Sequence, residues 1–223
     1  MAGDSVFCPA MIIIRTMSRD EATVVARLHA ATITEGFLNK LGIRFLAGLY
    51  RGILEDGASQ VWVADRDGEI IGFCAYTQDV GAMYRSVLRR RFLPLAFASL
   101  PYSLNPFVLK EVLDTYRYPD KQESQRLPAA EILSLAVDAG ERGTGTGRRL
   151  LEEAIRQAAR DGATEIKVVA GADLVAANRF YVACGFAQRA EIVQHGHTLN
   201  VYVGCVPPHE ARAEATDRAD RPG

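Results

Sequence analysis

The stretch "ERGTGTGRRLLEEA", residues 141–154, carries the densest chemical signal in the chain. Arg142, Gly143, Thr144, Gly145, Thr146, Gly147 and Arg148 stand in a row, with glycine at alternate positions and a helix-forming run behind them. Glycine lets backbone N–H groups approach an anion closely, and the start of a helix adds roughly half a positive charge. Arginines on both sides suit the same ligand. The chemistry this pattern serves is the holding of a phosphate or pyrophosphate.

Two well-known phosphate loops do not fit. A P-loop needs G-x-x-x-x-G-K-[ST], but Gly147 is followed by Arg148 and Arg149, so the lysine and the magnesium-binding hydroxyl are both missing. A dinucleotide fingerprint, G-x-G-x-x-G, would put its third glycine at Arg148 or Leu150, and the next strand, "EIKVVAG", offers no acid at its end. A plain glycine turn before a helix is the bland alternative. It leaves the flanking arginines without a purpose.

The elements that must position this loop are readable from periodicity and turn residues. "MIIIRTMS" (11–18) is β-branched and short, a strand; Ser18 with Glu21 then forms a capping box for a helix carrying Val24, Val25, Leu28 and Ala31. A second helix spans roughly 39–55. "QVWVAD" and "EIIGFCAYT", joined by "RDG", predict an antiparallel hairpin. "EILSLAVD" (131–138) is a strand running into the glycine loop. The helix behind the loop places Leu150, Leu151, Ala154, Ile155 and Ala158 on one face and ends at "DG" (161–162). A buried strand (165–171), a helix (173–186) ending at Gly185, and a closing hairpin follow. This order predicts a mixed α/β (α+β) sheet with helices on its faces, in one domain over 11–206. Residues 207–223 are charged and poor in apolar groups, and are read as a disordered tail.

Bulk properties remove several function classes. A formal net charge of −1 gives no field for nucleic acid or an anionic membrane. Cys8, Cys74, Cys184 and Cys205 show no C-x-x-C spacing, which favours buried thiols in a reducing, cytoplasmic setting. The N-terminus has no basic region followed by a long apolar stretch, so no signal peptide is expected. Residues 92–109 are uncharged and follow Arg89, Arg90 and Arg91, yet Pro94, Pro101 and Pro106 argue for a soluble insertion over a membrane segment.

The surviving pattern, [QR]-x-x-G-x-[GA] as Arg142, Gly145 and Gly147, resembles the signature of the GNAT superfamily of acyl-CoA-dependent N-acyltransferases. "EILSLAVD" is similar to that family's fourth strand, and "ANRFYVACGF" to its last helix, x-x-F-Y-x-x-x-G-F. The three motifs cover residues 130–186 in the right order and at the right distances. The resemblance implies a mostly antiparallel sheet splayed between its fourth and fifth strands. It also implies acetyl-CoA as acyl donor, its pyrophosphate on Arg142, Gly143, Thr144, Gly145, Thr146, Gly147 and Arg148, and no metal.

The same resemblance implies direct attack of an amine on the thioester, which needs a base, an oxyanion donor and an acid. Tyr181 matches the family's acid, against the reading of a core aromatic beside Phe180. A backbone N–H of Leu135 or Val137 would hold the oxyanion. Glu131 matches a glutamate that several protein-acetylating relatives carry, against a solvent-facing strand start or a water chain acting instead. Strand alternation would set it on one face with Leu133, Leu135 and Val137. Where many members place asparagine seven residues before the tyrosine, this chain has Leu174; Asn178 is the substitute for contacts to the coenzyme arm, or a surface residue. His195 and His197 form H-x-H without a third ligand nearby, so they suit the rim of an acceptor pocket or a surface turn better than a metal.

The acceptor depends on a long insertion, residues 79–128, where GNAT domains have a tight turn. Its aromatic residues Phe92, Phe97, Tyr102, Phe107, Tyr116 and Tyr118 predict helices roofing the acceptor cleft. Arg85, Arg89, Arg90 and Arg91 would suit an anionic acceptor such as a nucleotide-linked amino sugar, or simply form a solvated face. The expected partner is a small-molecule amine, with no nucleic acid, and the chain is expected to be a monomer or homodimer. Protein amine acetylation, an acyl-CoA sensor on the same fold and an interfacial membrane anchor are the competing readings.

Overall fold

A computed structural model describes residues 11–33, 37–87, 89–90, 127–194 and 196–208. Seven strands form one sheet in the order β1-β2-β3-β4-β5-β7-β6. They are β1 (Ile12–Thr16), β2 (Ser59–Arg66), β3 (Glu69–Thr77), β4 (Glu131–Val137), β5 (Glu165–Gly171), β6 (Ala187–Gln194) and β7 (His197–Cys205). Every neighbouring pair is antiparallel except β4 with β5. The helices are α1 (Ala22–Thr32), α2 (Phe37–Lys40), α3 (Gly42–Asp56), α4 (80–87), α5 (Thr146–Arg160) and α6 (Val175–Ala183).

Local chemistry sets these boundaries. The Glu21 carboxylate accepts from the Ser18 N–H at 2.8 Å and pairs with Arg15 at 2.5 Å, while Arg15 also reaches Asp65 at 2.7 Å. One arginine thereby joins β1, β2 and the entry to α1. The β2–β3 hairpin turns through Asp67 (φ 51°) and Gly68 (φ 89°), the paired positive angles that match strand twist in a two-residue turn. The helix expected over 39–55 is two helices, because Gly42 takes a left-handed φ of 79° after Leu41.

Two apolar cores cover the two faces of the sheet. On one, Val25, Leu46, Tyr50, Ile53 and Met83 of α1, α3 and α4 pack on Val61, Val63 and Phe73. On the other, Leu150, Leu151, Ala154 and Ala158 of α5 and Tyr181 of α6 pack on Tyr76, Ile132, Ile166 and Tyr202. Helices on both faces of a mixed sheet is the architecture expected from the element order, and its antiparallel majority is what the resemblance implies.

One expectation needs correction. Alternation does not hold along β4, because Ile132 stands opposite Tyr76 and Ser134 opposite the next residue, Ala75. Leu133 is therefore an extra residue, a β-bulge. It resets the pleat: Leu133 and Ala136 pack against the α1/α3 core, while Leu135 and Val137 pack against the α5/α6 core. Leu135 and Val137 thus leave the face that Leu133 occupies.

Candidate active site

The bulge has a second effect. β4 and β5 pair only at Glu131↔Lys167 and Ile132↔Val168, and pairing stops where Leu133 is inserted. Beyond that point β5 continues fully paired with β7, and β4 with β3, so a wedge opens between them. The backbone direction confirms the reset. Ala130 turns its carbonyl towards β5, accepting from the Lys167 N–H at 3.0 Å, whereas Asp138 turns its N–H the other way, to Ile71 of β3, at 2.8 Å. Residues an even number apart share an edge in a regular strand, so one inserted residue separates these two. Counting back from Asp138, Leu135 and Val137 turn their N–H groups into the wedge.

The glycine loop sits at the open end of this wedge. Gly143 and Gly145 have φ of 80° and 86°, angles that L side chains rarely adopt. Gly145 caps α5, and its carbonyl accepts the first helical bond, from Arg149 at 3.1 Å. The N–H groups of Thr146, Gly147 and Arg148 are thus first-turn donors with no helical acceptor behind them. Thr144 donates its hydroxyl to the Glu141 carbonyl at 2.8 Å, so Thr146, 2.8 Å from Thr144 Oγ1 and almost wholly buried, is the donor of that second bond. Both threonine side chains are spent on loop shape. Arg142 is exposed; Arg148 donates to the Ala183 carbonyl at 3.1 Å, tying the start of α5 to the end of α6. Donors aimed outward at a helix start, beside a slot edged with N–H groups, can hold an extended anionic ligand.

Tyr181 is buried on the α5/α6 side, with ring centroids 5.3, 5.9 and 6.1 Å from Phe180, Phe186 and Tyr202. Burial pushes its phenol above the ordinary range, so it stays protonated. Glu131 lies at the wedge apex, 5% exposed, with its Oε2 3.3 Å from the ammonium of Lys167, itself 1% exposed. Lys167 also donates to the Pro128 carbonyl. Burial lowers the Lys167 pKa, against the opposing pull of Glu131 and Asp79.

Asn178 is engaged by the protein. Its amide N–H groups reach the carbonyls of Gly171 and Leu174, each at 2.8 Å, and its oxygen accepts from Asn200 at 3.1 Å. It braces the end of β5 against α6 and β7. His197 is exposed at the start of β7. His195, Arg91 and the aromatic residues from Phe92 to Tyr118 lie outside the described residues.

Sequence reasoning missed a polar chain on the α1/α3 side. His29 Nδ1 lies 2.6 Å from the Tyr50 hydroxyl, which lies 3.0 Å from Ser134 Oγ. His29 and Tyr50 lie within the two expected helices without any motif to mark them, and only tertiary contact joins them to a strand residue 84 positions on from Tyr50. Lys167 gave no signal either, standing inside the strand "EIKVVAG" with no motif around it.

Residues 27–186 match the model of the acetyltransferase (GNAT) family. The chain belongs to this family. No curated protein matches the GNAT chain significantly by sequence. Among solved structures it is similar to an N-acetyltransferase from Staphylococcus aureus Mu50, with a TM-score of 0.59 and 14% identity over 89% of this chain and 100% of that one. The Salmonella typhimurium protein yncA, solved with acetyl-CoA, gives 0.56 and 16% over 89% and 95%. The Escherichia coli ribosomal-protein-S18-alanine N-acetyltransferase gives 0.53 and 12% over 88% and 94%. At such identities the likeness is one of fold. The family match supports acetyl transfer in general and leaves the acceptor open. Among the described residues no helix is long and apolar enough to cross a membrane.

Proposed function

We propose that this GNAT protein moves an acetyl group from acetyl-CoA to a primary amine by direct attack. The observation that carries the reading is the wedge: two N–H groups, of Leu135 and Val137, face a slot that leads to the donor-rich turn at Gly145. An extended amide-bearing arm fits such a slot as an added strand would, and a pyrophosphate fits the turn. Acetyl-CoA is a substrate here, and its thioester would end near the apex.

The chemistry then falls to this chain's side chains. The amine lone pair forms the new C–N bond as the C–S bond breaks. The Leu135 N–H stabilises the oxyanion, with Val137 holding the arm beyond it. Tyr181, kept neutral by burial, gives its proton to the departing sulfur. Glu131 takes the proton lost by the amine; it lies at the apex and on the opposite face from Tyr181, with Lys167 offsetting the cost of burying its charge. Asn178 acts by holding the end of β5, and Arg142 adds charge beside the pyrophosphate.

Titration with acetyl-CoA and with S-acetylpantetheine tests the assignment of the loop. The full thioester is expected to bind at least about tenfold more tightly, the share of the pyrophosphate contacts. Equal affinity for the two would overturn it.

A further inference from the structure

Ser134, Tyr50 and His29 form a hydrogen-bonded chain inside an otherwise apolar core. Tyr50 and His29 are 2% and 5% exposed, and both rings pack on Phe73. The chain exists because of the bulge. In a regular strand Ser134 would share the face of Ile132, under α5; the extra Leu133 turns its hydroxyl to the α1/α3 side instead. The same insertion ends the pairing with β5 and aims the next residue's N–H, that of Leu135, into the wedge. One distortion thus sets the Ser134 hydroxyl on the face opposite Tyr181 and the N–H of the adjacent Leu135 on the wedge edge.

We infer that Ser134 Oγ is the group that receives an N–H of the acceptor amine and aims its lone pair at the thioester carbon, and that Tyr50 and His29 fix its direction. This rests on the transferase reading above. The donor sense of the chain follows from that role. Ser134 donates to Tyr50 and Tyr50 donates to His29 Nδ1, which leaves both lone pairs of Ser134 Oγ for the amine. A neutral imidazole with its proton on Nε2 is required, and burial disfavours the imidazolium. Ser134 touches the substrate; Tyr50 and His29 are positioning residues. Attack requires a defined nitrogen orientation, so a fixed acceptor at this point acts on the reacting geometry.

Two arms test the inference. In protein labelled with 15N at histidine, His29 is identified by the signals lost in His29→Gln. The expected tautomer at neutral pH carries its proton on Nε2; a proton on Nδ1 would reverse the chain and overturn the inference. In the second arm acetyl transfer is followed with glucosamine, spermidine, 2-phenylethylamine and a lysine-bearing peptide. With the best of these, Ser134→Ala is expected to lower kcat/KM for the amine by about tenfold or more, the worth of one lost hydrogen bond, with KM for acetyl-CoA unchanged. Ser134→Thr, which keeps the hydroxyl, restores most of the loss, and Tyr50→Phe falls between. Unchanged amine kinetics in Ser134→Ala overturns the role of Ser134 alone. A wild-type protein that binds acetyl-CoA but acetylates none of the amines overturns the transferase reading beneath it.

Discussion

Glu131 and Lys167 meet across the last rung but one of the β4–β5 pairing, Oε2 and Nζ 3.3 Å apart and both shielded from water. The pair pins the two strands together at the point from which they diverge. It also makes the role of Glu131 testable, because stability and catalysis can be separated. Glu131→Gln leaves a buried ammonium without its carboxylate, and should cost about 3–5 kcal/mol of stability. Adding Lys167→Met removes that ammonium and should return most of it. If Glu131 is the base, turnover falls by about 10²–10⁴-fold in both variants and does not return with stability. Denaturant titration and steady-state kinetics on the same preparations decide the matter.

Tyr181→Phe keeps the ring among Phe180, Phe186 and Tyr202, so the fold should survive. Loss of the acid should lower kcat by about 10²-fold with KM for acetyl-CoA unchanged. Because burial lifts the phenol above its ordinary 10.0, wild-type kcat should show no fall from its ionisation below that pH. A kcat unaltered by the substitution would return Tyr181 to the core.

Gly145 and Gly162 offer a matched comparison. Both take left-handed φ, 86° and 77°, and an added Cβ would meet nothing within 4 Å at either. Alanine should therefore cost each about 1 kcal/mol of backbone strain, read by thermal unfolding. Only Gly145→Ala, at the turn proposed to hold the pyrophosphate, should also raise KM for acetyl-CoA. Equal KM values would separate the loop from the cofactor.

Burial moves the pKa of His29 from the ordinary 6.5 to about 4. The unfolded chain then binds more protons than the folded one between these values, so stability rises with pH across that window. The contribution is present in full above 6.5 and is lost as pH falls towards 4, a change on the order of 3 kcal/mol. The Glu21 carboxylate, held at about 2 by Arg15, is lost lower still, between 4.5 and 2. His29→Gln should flatten the pH dependence of unfolding free energy between 4 and 6.5 and leave the lower limb intact.

Much of this protein was legible in its sequence because the signals were local. The hairpin at Asp67 and Gly68, the capping box of Ser18 and Glu21, and the glycine loop before α5 each follow from a few adjacent residues. The bulge at Leu133 was not legible: no glycine or proline marks it, and strict alternation is the natural reading of "EILSLAV". That one residue governs which face each side chain of β4 takes. The pairing of Glu131 with Lys167 and the chain from His29 to Ser134 join distant segments, and a buried lysine or histidine looks the same in sequence as an exposed one. Asn178 reads in sequence as a candidate for the coenzyme arm; its bond with Asn200 is tertiary in the same way, whereas those to Gly171 and Leu174 are local, within seven residues.

The central claim is transfer of acetyl from acetyl-CoA to an amine, and the most direct measurement is release of the free thiol in the presence of a panel of amines. The panel should span nucleotide amino sugars, amino acids, polyamines, aminoglycosides and basic peptides. An acceptor-dependent rate, with an acetylated amine recovered by mass spectrometry, is the predicted result. Tight binding of acetyl-CoA with no thiol release above the acceptor-free rate for any amine would contradict the claim, and would make the protein an acyl-CoA-binding module on a GNAT fold.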